Sequence, residues 1–244
     1  CTEKNLAELK KLVTGRGCAL GLSTDADGDR FGLVNEQGKL VIANYMLALL
    51  LEYFLRVKGW RGGVARSVTT THLIDRIARY YDLPVYRTPV GFKYLADLFI
   101  KGKIIFGGEE SACLAVKDHL PEKDGIFAGL LVAEMVAVYG ESLTELLAQL
   151  FKKYGKMVGA QTNLALSAGI SRRLSELIKN PPQTVGKRRV IAVETMDGLK
   201  LVFPGDSWLT LRFSGTEPVV RCYSEAETKQ EAQALLTSGV RLLC

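Results

Sequence analysis

Between residues 63 and 106 short apolar runs of strand character alternate with stretches of helical periodicity. Gly63 to Val68 reads as a strand, His72 to Tyr81 as a helix, Pro84 to Thr88 as a strand, Phe92 to Ile100 as a helix and Lys103 to Phe106 as a strand. Strands linked by helices are parallel neighbours, so this rhythm demands an α/β fold in which a mixed or parallel sheet carries helices on both faces. Two further helical patterns, Gly125 to Tyr139 and Leu143 to Tyr154, close the unit.

The flanks differ in character. Leu6, Leu9 and Val13 recur at helical spacing, with Gly15 and Gly17 as stop signals, and CALGLS is a short buried strand. RFGLVNEQGKLVI reads as a hairpin around Gln37-Gly38. Asn44 is the expected cap of a helix whose stripe is Leu47, Leu50, Leu51 and Phe54. The KGWRGG segment marks a boundary, which puts residues 1–58 and 59–155 in separate domains. A second boundary falls at Tyr154-Gly155, where MVGAQTNLAL begins a strand. A helix (Ile170 to Lys179), a Pro181-Pro182 break, a β-rich run to Ser214 and a last helix bearing Ala232, Leu235, Leu236 and Val240 then make residues 156–244 a smaller α+β domain.

Composition narrows the classes of function. With 244 residues, 48% of them hydrophobic, the chain can bury a sizeable core. The net charge of +6 is scattered, with no basic run longer than Lys187-Arg188-Arg189, which favours anionic small molecules over a nucleic-acid stripe. Five cysteines (Cys1, Cys18, Cys113, Cys222 and Cys244) form no CxxC pair, so a reducing, cytoplasmic setting is expected. The apolar stretch Tyr45 to Leu55 is shorter than the roughly 20 residues a membrane helix needs, and the charged start reads as helix rather than signal peptide. No membrane partner is expected.

Three strings carry chemistry. DADGDR sets Asp25, Asp27 and Asp29 at alternate positions and ends in Arg30. As a calcium loop it fails, because the sixth position should be glycine and is Arg30, and because a strand, not a helix, precedes it. Three carboxylates with little else suit Mg²⁺, which leaves coordination positions to water and phosphate, while Arg30 suits a phosphate or sugar oxygen; a solvated acidic turn is the bland alternative. GGEES, at residues 107–111, follows the strand KIIF and offers a carboxylate and a hydroxyl to vicinal sugar hydroxyls; alone it is also an ordinary acidic turn. RFSGTEPVVR, at residues 212–221, places Ser214, Gly215 and Thr216 between Arg212 and Arg221, a phosphate cradle or a plain β-hairpin.

Together with TPVGFKY and EKDG, these strings occur in the order found in the α-D-phosphohexomutase family, which includes phosphoglucomutases and phosphomannomutases. The chain resembles that family along nearly its whole length. The resemblance implies the end of the family's second domain followed by its third and fourth, from four-domain enzymes with a central cleft. It implies Asp25, Asp27 and Asp29 as Mg²⁺ ligands, with Arg30 near the reacting phosphoryl group. Glu109 and Ser111 would contact the sugar, with Gly91, Lys93 and Lys123 lining the same region. Arg212, Ser214, Gly215, Thr216 and Arg221 would hold the non-reacting phosphate. The implied substrate is a hexose phosphate, converted between 1- and 6-phosphate through a species of the glucose 1,6-bisphosphate type.

Two departures qualify this expectation. Ala112-Cys113 stands where the family often has Gly-His or Gly-Gly, which removes a histidine acid or base; Cys113 has no activating neighbour in the sequence, and His72 and His119 read as surface or capping residues. More important, the Ser-His-Asn-Pro-type loop that carries the family's phosphoserine does not occur in these 244 residues, so the chain alone is expected to be inactive. A non-catalytic sugar-phosphate-binding protein and a phosphoglucosamine mutase stand as alternatives, although Glu110 resembles the glucose and mannose members where amino-sugar enzymes tend to carry glutamine. Glucose and mannose are not distinguished.

Overall fold

The structure, a computed structural model, describes residues 3–244 and divides into two compact units, residues 3–155 and 156–244. The first unit opens with helix α1 (Ala7–Arg16), which runs through Gly15 and stops at Gly17, whose left-handed backbone (φ 63°) closes the last turn. Strands β1 (Leu20–Thr24), β2 (Phe31–Asn35) and β3 (Leu40–Val41) then form a three-stranded antiparallel sheet. DADGDR is therefore the connection of a β1–β2 hairpin, with Thr24 opposite Phe31, and the expected turn at Gln37-Gly38 joins β2 to β3.

Helix α2 (Ala43–Arg56) buries every residue from Met46 to Leu55, as a core helix must when it is apolar nearly all round. Asn44 does not cap it; the helix starts one residue earlier, and the Asn44 side chain instead accepts a hydrogen bond from the Thr71 N–H. The one acid of the buried run, Glu52, is matched by Lys153 (2.9 Å) and the Tyr154 hydroxyl (2.6 Å), so its charge is not stranded in the core.

The βαβ block follows as β4 (Gly63–Ser67), α3 (Leu73–Tyr80), β5 (Val85–Thr88), α4 (Phe92–Ile100), β6 (Ile104–Glu109) and β7 (Cys113–Val116). The sheet order is β5-β4-β6-β7; β4 is parallel to both β5 and β6, while β7 is antiparallel, which makes the sheet mixed. Strand β6 runs straight through Gly107 and Gly108, where the sequence suggested a turn. A Cβ at Gly107 would meet Phe99 and Leu95 of α4, and one at Gly108 would lie 2.5 Å from Leu47 of α2. The two glycines thus let helices press on opposite faces of the sheet, the α/β/α layering the rhythm called for.

Helices α5 (Gly125–Tyr139) and α6 (Leu143–Tyr154) complete the unit, begun by Asp124, whose carboxylate accepts from the Phe127 N–H, and by a Ser142/Glu145 capping box. KGWRGG does not separate two packed bodies: α2, before it, packs on α3, α5 and α6, after it. Among the described residues no single helix is long and apolar enough to cross a membrane.

The second unit consists of β8 (Val158–Ala165), α7 (Ala168–Lys179), a two-stranded pair β9 (Thr184–Val185) and β10 (Arg188–Arg189), then β11 (Ala192–Glu194), β12 (Leu199–Val202), β13 (Trp208–Phe213), β14 (Val219–Ala226) and α8 (Lys229–Arg241). Its main sheet is antiparallel in the order β11-β12-β13-β14-β8. Alternation along β12 and β13 sends Leu199, Leu201, Leu209 and Leu211 into a core shared with Leu174 and Leu177 of α7 and Leu235 and Leu236 of α8. Lys200, Thr210 and Arg212 occupy the intervening positions.

Candidate active site

In the first unit four separated segments meet at the C-terminal ends of the parallel strands, where open α/β sheets place their ligands. The hairpin loop carrying the aspartates is tied to the loop after β6 by the Phe31 N–H, which donates to the Ala112 carbonyl (3.3 Å). The start of α5 sits on the same hairpin loop, with the Gly125 N–H donating to the Gly28 carbonyl (2.9 Å). A Cβ at residue 125 would lie 2.3 Å from the Arg30 carbonyl oxygen, so only glycine allows this approach. Gly91, at φ 135°, turns the chain into α4, and its N–H donates to Glu109 Oε1 (2.8 Å).

The side chains meet as well. Lys123 pairs with Asp29, and the Arg30 Nε stands 3.8 Å from both an Asp25 and an Asp29 oxygen. The hydrogen bond from Lys123 lowers the pKa of Asp29, with the charges of Lys123 and Arg30 adding to the effect, and the same bond raises that of Lys123. Asp25 Oδ1 also accepts from the Arg30 backbone N–H (3.2 Å), and Asp27 is exposed.

The loop that carries these three carboxylates is tightly folded, with Gly28 at φ 75° and its N–H on the Asp25 carbonyl, and is not a pleated strand that would align alternate side chains. Among the described residues no three His, Cys, Asp or Glu side chains are gathered to hold a metal ion. The oxygen-only donors suit a hard cation by their chemistry, but the positive charge beside them here is that of Lys123 and Arg30.

Glu109 is 3% exposed and spends part of its carboxylate on fixing Gly91, so it braces the turn before Lys93, which is exposed with its ammonium over the Tyr94 ring. Ser111 Oγ lies 3.5 Å from Cys113 Sγ. Cys113 is buried, and burial pushes its thiol pKa up, the opposite of activation. Hydroxyls that the sequence reading passed over secure Glu110. Its N–H donates to Thr70 Oγ1 (3.2 Å), and Ser67 Oγ donates to its carboxylate (3.3 Å). The signal was present as SVTTTH, a run of hydroxyl side chains directly after a strand. His72 stands at the N-cap position of α3, buried and without a side-chain cap bond, so it is not a surface residue, whereas His119 lies 3.0 Å from Asp124 and stacks on Phe127.

The second unit builds its own constellation on the β13–β14 hairpin. Arg212 and Arg221 are directly opposed across the two strands. Ser214 Oγ accepts from the N–H groups of Thr216 (3.4 Å) and Glu217 (3.3 Å) and from Arg221 Nε (3.2 Å). With its acceptor capacity saturated, what the hydroxyl has left to offer is its proton, which suits an anion. Gly215 and Thr216 are exposed at the loop tip. Arg221 also bonds Glu217 (2.5 Å), and Arg212 Nε donates to Asp197 (3.0 Å).

Comparison with known proteins follows this division. The family description "Phosphoglucomutase/phosphomannomutase, alpha/beta/alpha domain III" matches residues 43–154, and "Phosphoglucomutase/phosphomannomutase, C-terminal domain" matches residues 170–238. A phosphoglucomutase/phosphomannomutase of Thermococcus kodakarensis is 29% identical over 99% of this chain and 50% of its own length. A protein of Pyrococcus abyssi, provisionally named a phosphoglucosamine mutase, is 32% identical over 99% of this chain and 51% of its own. A solved structure from Thermus thermophilus, provisionally described as a phosphomannomutase, superposes with a TM-score of 0.81 at 30% identity, covering 99% of this chain and 50% of that one. The chain thus spans about half the length of the curated relatives it matches.

Proposed function

Because the chain belongs to the phosphoglucomutase/phosphomannomutase family, we propose that it is the sugar-reading and phosphate-holding part of a phosphohexomutase. The whole enzyme moves phosphate reversibly between C1 and C6 of a hexose through a bisphosphorylated sugar, using a phosphoserine absent from these residues. The observation that carries this reading is the meeting of Asp29, Arg30, Lys123, Gly91 and the Glu109–Ser111 turn at one end of the first unit.

A mutase must accept its sugar in two orientations, so it needs hydroxyl-reading groups indifferent to which end carries phosphate, and a separate holder for the phosphate not being transferred. Glu109 and Ser111 serve as the readers, with Gly91 and Lys93 beside them. Arg212, Ser214, Gly215, Thr216 and Arg221 serve as the holder, two cationic forks and a loop of donors. Arg30 and Lys123 supply positive charge to the reacting phosphoryl oxygens. Asp25, Asp27 and Asp29 are the side chains that would hold Mg²⁺, which adds charge neutralisation when bound. The relatives carry both glucose/mannose and glucosamine names, so the substrate class is a hexose phosphate with or without a 2-amino group. Glu110 in place of glutamine favours the former.

Calorimetric titration of glucose 1,6-bisphosphate into the chain tests the reading. Arg212→Ala should weaken binding by about tenfold or more, the value of one charge-assisted fork; equal affinity would remove the proposed holder. A sugar-phosphate-binding protein without catalysis would pass the same titration, but in the longer protein it would show no turnover of glucose 1-phosphate.

A further inference from the structure

Asp197 sits in the turn between β11 and β12, next to the phosphate holder but outside the RFSGTEPVVR string. Two observations single it out. Its carboxylate accepts from Arg212 Nε at 3.0 Å, with both side chains largely shielded, at 20% and 11% exposure. The next residue, Gly198, has φ 85°, and a Cβ there would lie 2.3 Å from the Leu211 carbonyl oxygen and 2.8 Å from both Cα and Cβ of Arg212. The turn is pressed against the backbone of the arginine it contacts, and glycine is what allows it. This pairing therefore belongs to the framework of the hairpin.

An acid on a phosphate-binding arginine can act in two opposite ways. It can compete with phosphate for the guanidinium, or it can hold one edge and leave the rest aimed. The atoms decide between them. Asp197 takes the Nε–H, and among the described residues the remaining N–H donors of Arg212, on its two terminal nitrogens, have no partner. Those are the donors that form a parallel two-point contact with a phosphate. Arg221 is the contrasting case, because its carboxylate partner Glu217 is 56% exposed, lies in the same loop and binds a terminal nitrogen, where a phosphate would displace it.

We infer that Asp197 is a positioning residue for phosphate capture by Arg212, orienting the guanidinium rather than competing for it. The inference rests on the proposed phosphate-holding role of Arg212. A long unbraced arginine must be immobilised when its ligand binds, and Asp197 meets that conformational cost in advance.

Titration of glucose 1,6-bisphosphate into the wild-type 244-residue chain and four variants of it tests the inference. Asp197→Ala should weaken binding about tenfold, the scale of one charge-assisted hydrogen bond. Asp197→Asn keeps an acceptor for Nε–H and should stay within about threefold of the wild type. In Asp197→Ala/Arg212→Ala the Asp197 change should add nothing to the loss from Arg212→Ala, because a positioning effect requires the arginine it positions. Unchanged or tighter binding by Asp197→Ala, alongside weakened binding by Arg212→Ala, overturns the inference and leaves the phosphate holder standing. Unchanged binding by Arg212→Ala overturns both. Losses in the double variant that add fully identify general destabilisation and also overturn the inference; if Asp197→Ala does not fold, an Asn variant as weak as Arg212→Ala does the same.

Discussion

Two glycines four residues apart on α5 should respond to alanine in opposite directions. A Cβ at residue 125 would stand 2.3 Å from the Arg30 carbonyl oxygen, 2.6 Å from its carbon and 2.9 Å from the Gly28 oxygen, all inside the 3.0 Å that real Cβ contacts essentially never breach. All three are backbone atoms of the aspartate loop, and no side-chain rotation relieves them. Gly125→Ala must push α5 away from the loop and strain the bond between the Gly125 N–H and the Gly28 carbonyl. Overpacking of this kind costs about 1–3 kcal/mol, and we take about 2 kcal/mol as the net loss. At Gly129, in the helix interior, a Cβ would meet Leu22 at 3.5 Å or more, an ordinary contact, so Gly129→Ala should gain about 0.5–1 kcal/mol from helix propensity. For a unit of this size each kcal/mol moves the melting temperature by about 2–4 °C. Scanning calorimetry should therefore show a fall of about 4–8 °C for Gly125→Ala and a rise of about 1–4 °C for Gly129→Ala. Shifts of the same sign, or a Gly125→Ala protein as stable as the wild type, would refute the claim that this close approach builds the site.

Further outcomes concern the same loops. Ala112 holds a left-handed backbone (φ 68°), so Ala112→Gly should raise stability by about 0.5 kcal/mol, and a loss in urea unfolding would count against strain in the sugar loop. The folded pKa of Asp29 lies below its ordinary 3.8, so its stabilising pair with Lys123 is present above that pH and fades as pH falls through the depressed value. The difference in urea midpoint between the wild type and Asp29→Asn should accordingly be widest near neutrality and close in acid; a difference constant with pH would place its cause elsewhere. Thiol reagents at pH 8 should label exposed Cys18 and Cys244 quickly. Buried Cys113, and Cys222 with its pKa pushed up to about 11, should react only on unfolding, as peptide mapping would reveal.

What the sequence revealed follows from how local each signal is. The bounds of α4, α5 and α6 are written in nearby residues: the Gly91 turn, the Asp124 cap, the Gly140 stop and the Ser142/Glu145 box. Four of the five motif strings, DADGDR, TPVGFKY, GGEES and EKDG, likewise mark the segments that meet in the first unit. Signals that depend on distant partners were not legible. Gly107 and Gly108 looked like a turn because nothing in their neighbourhood shows Phe99 and Leu47 closing on either side. Asn44 looked like a cap because its real partner, the Thr71 N–H, lies beyond the helix that contains it. The alternate spacing of Asp25, Asp27 and Asp29 does not show the hairpin turn or the pairing of Asp29 with Lys123, and the brace of Asp197 on Arg212 joins a turn to a strand that the pairing of β12 with β13 brings near it.

Hydrogen exchange of the 244-residue chain with and without glucose 1,6-bisphosphate shows whether the sugar loop and the phosphate holder bind this ligand. Slowed exchange is expected in peptides covering residues 109–113 of the first unit and residues 214–217 of the second, with little change in α1 or α7. Protection absent from both loops, or confined to segments outside the motif strings, would contradict it.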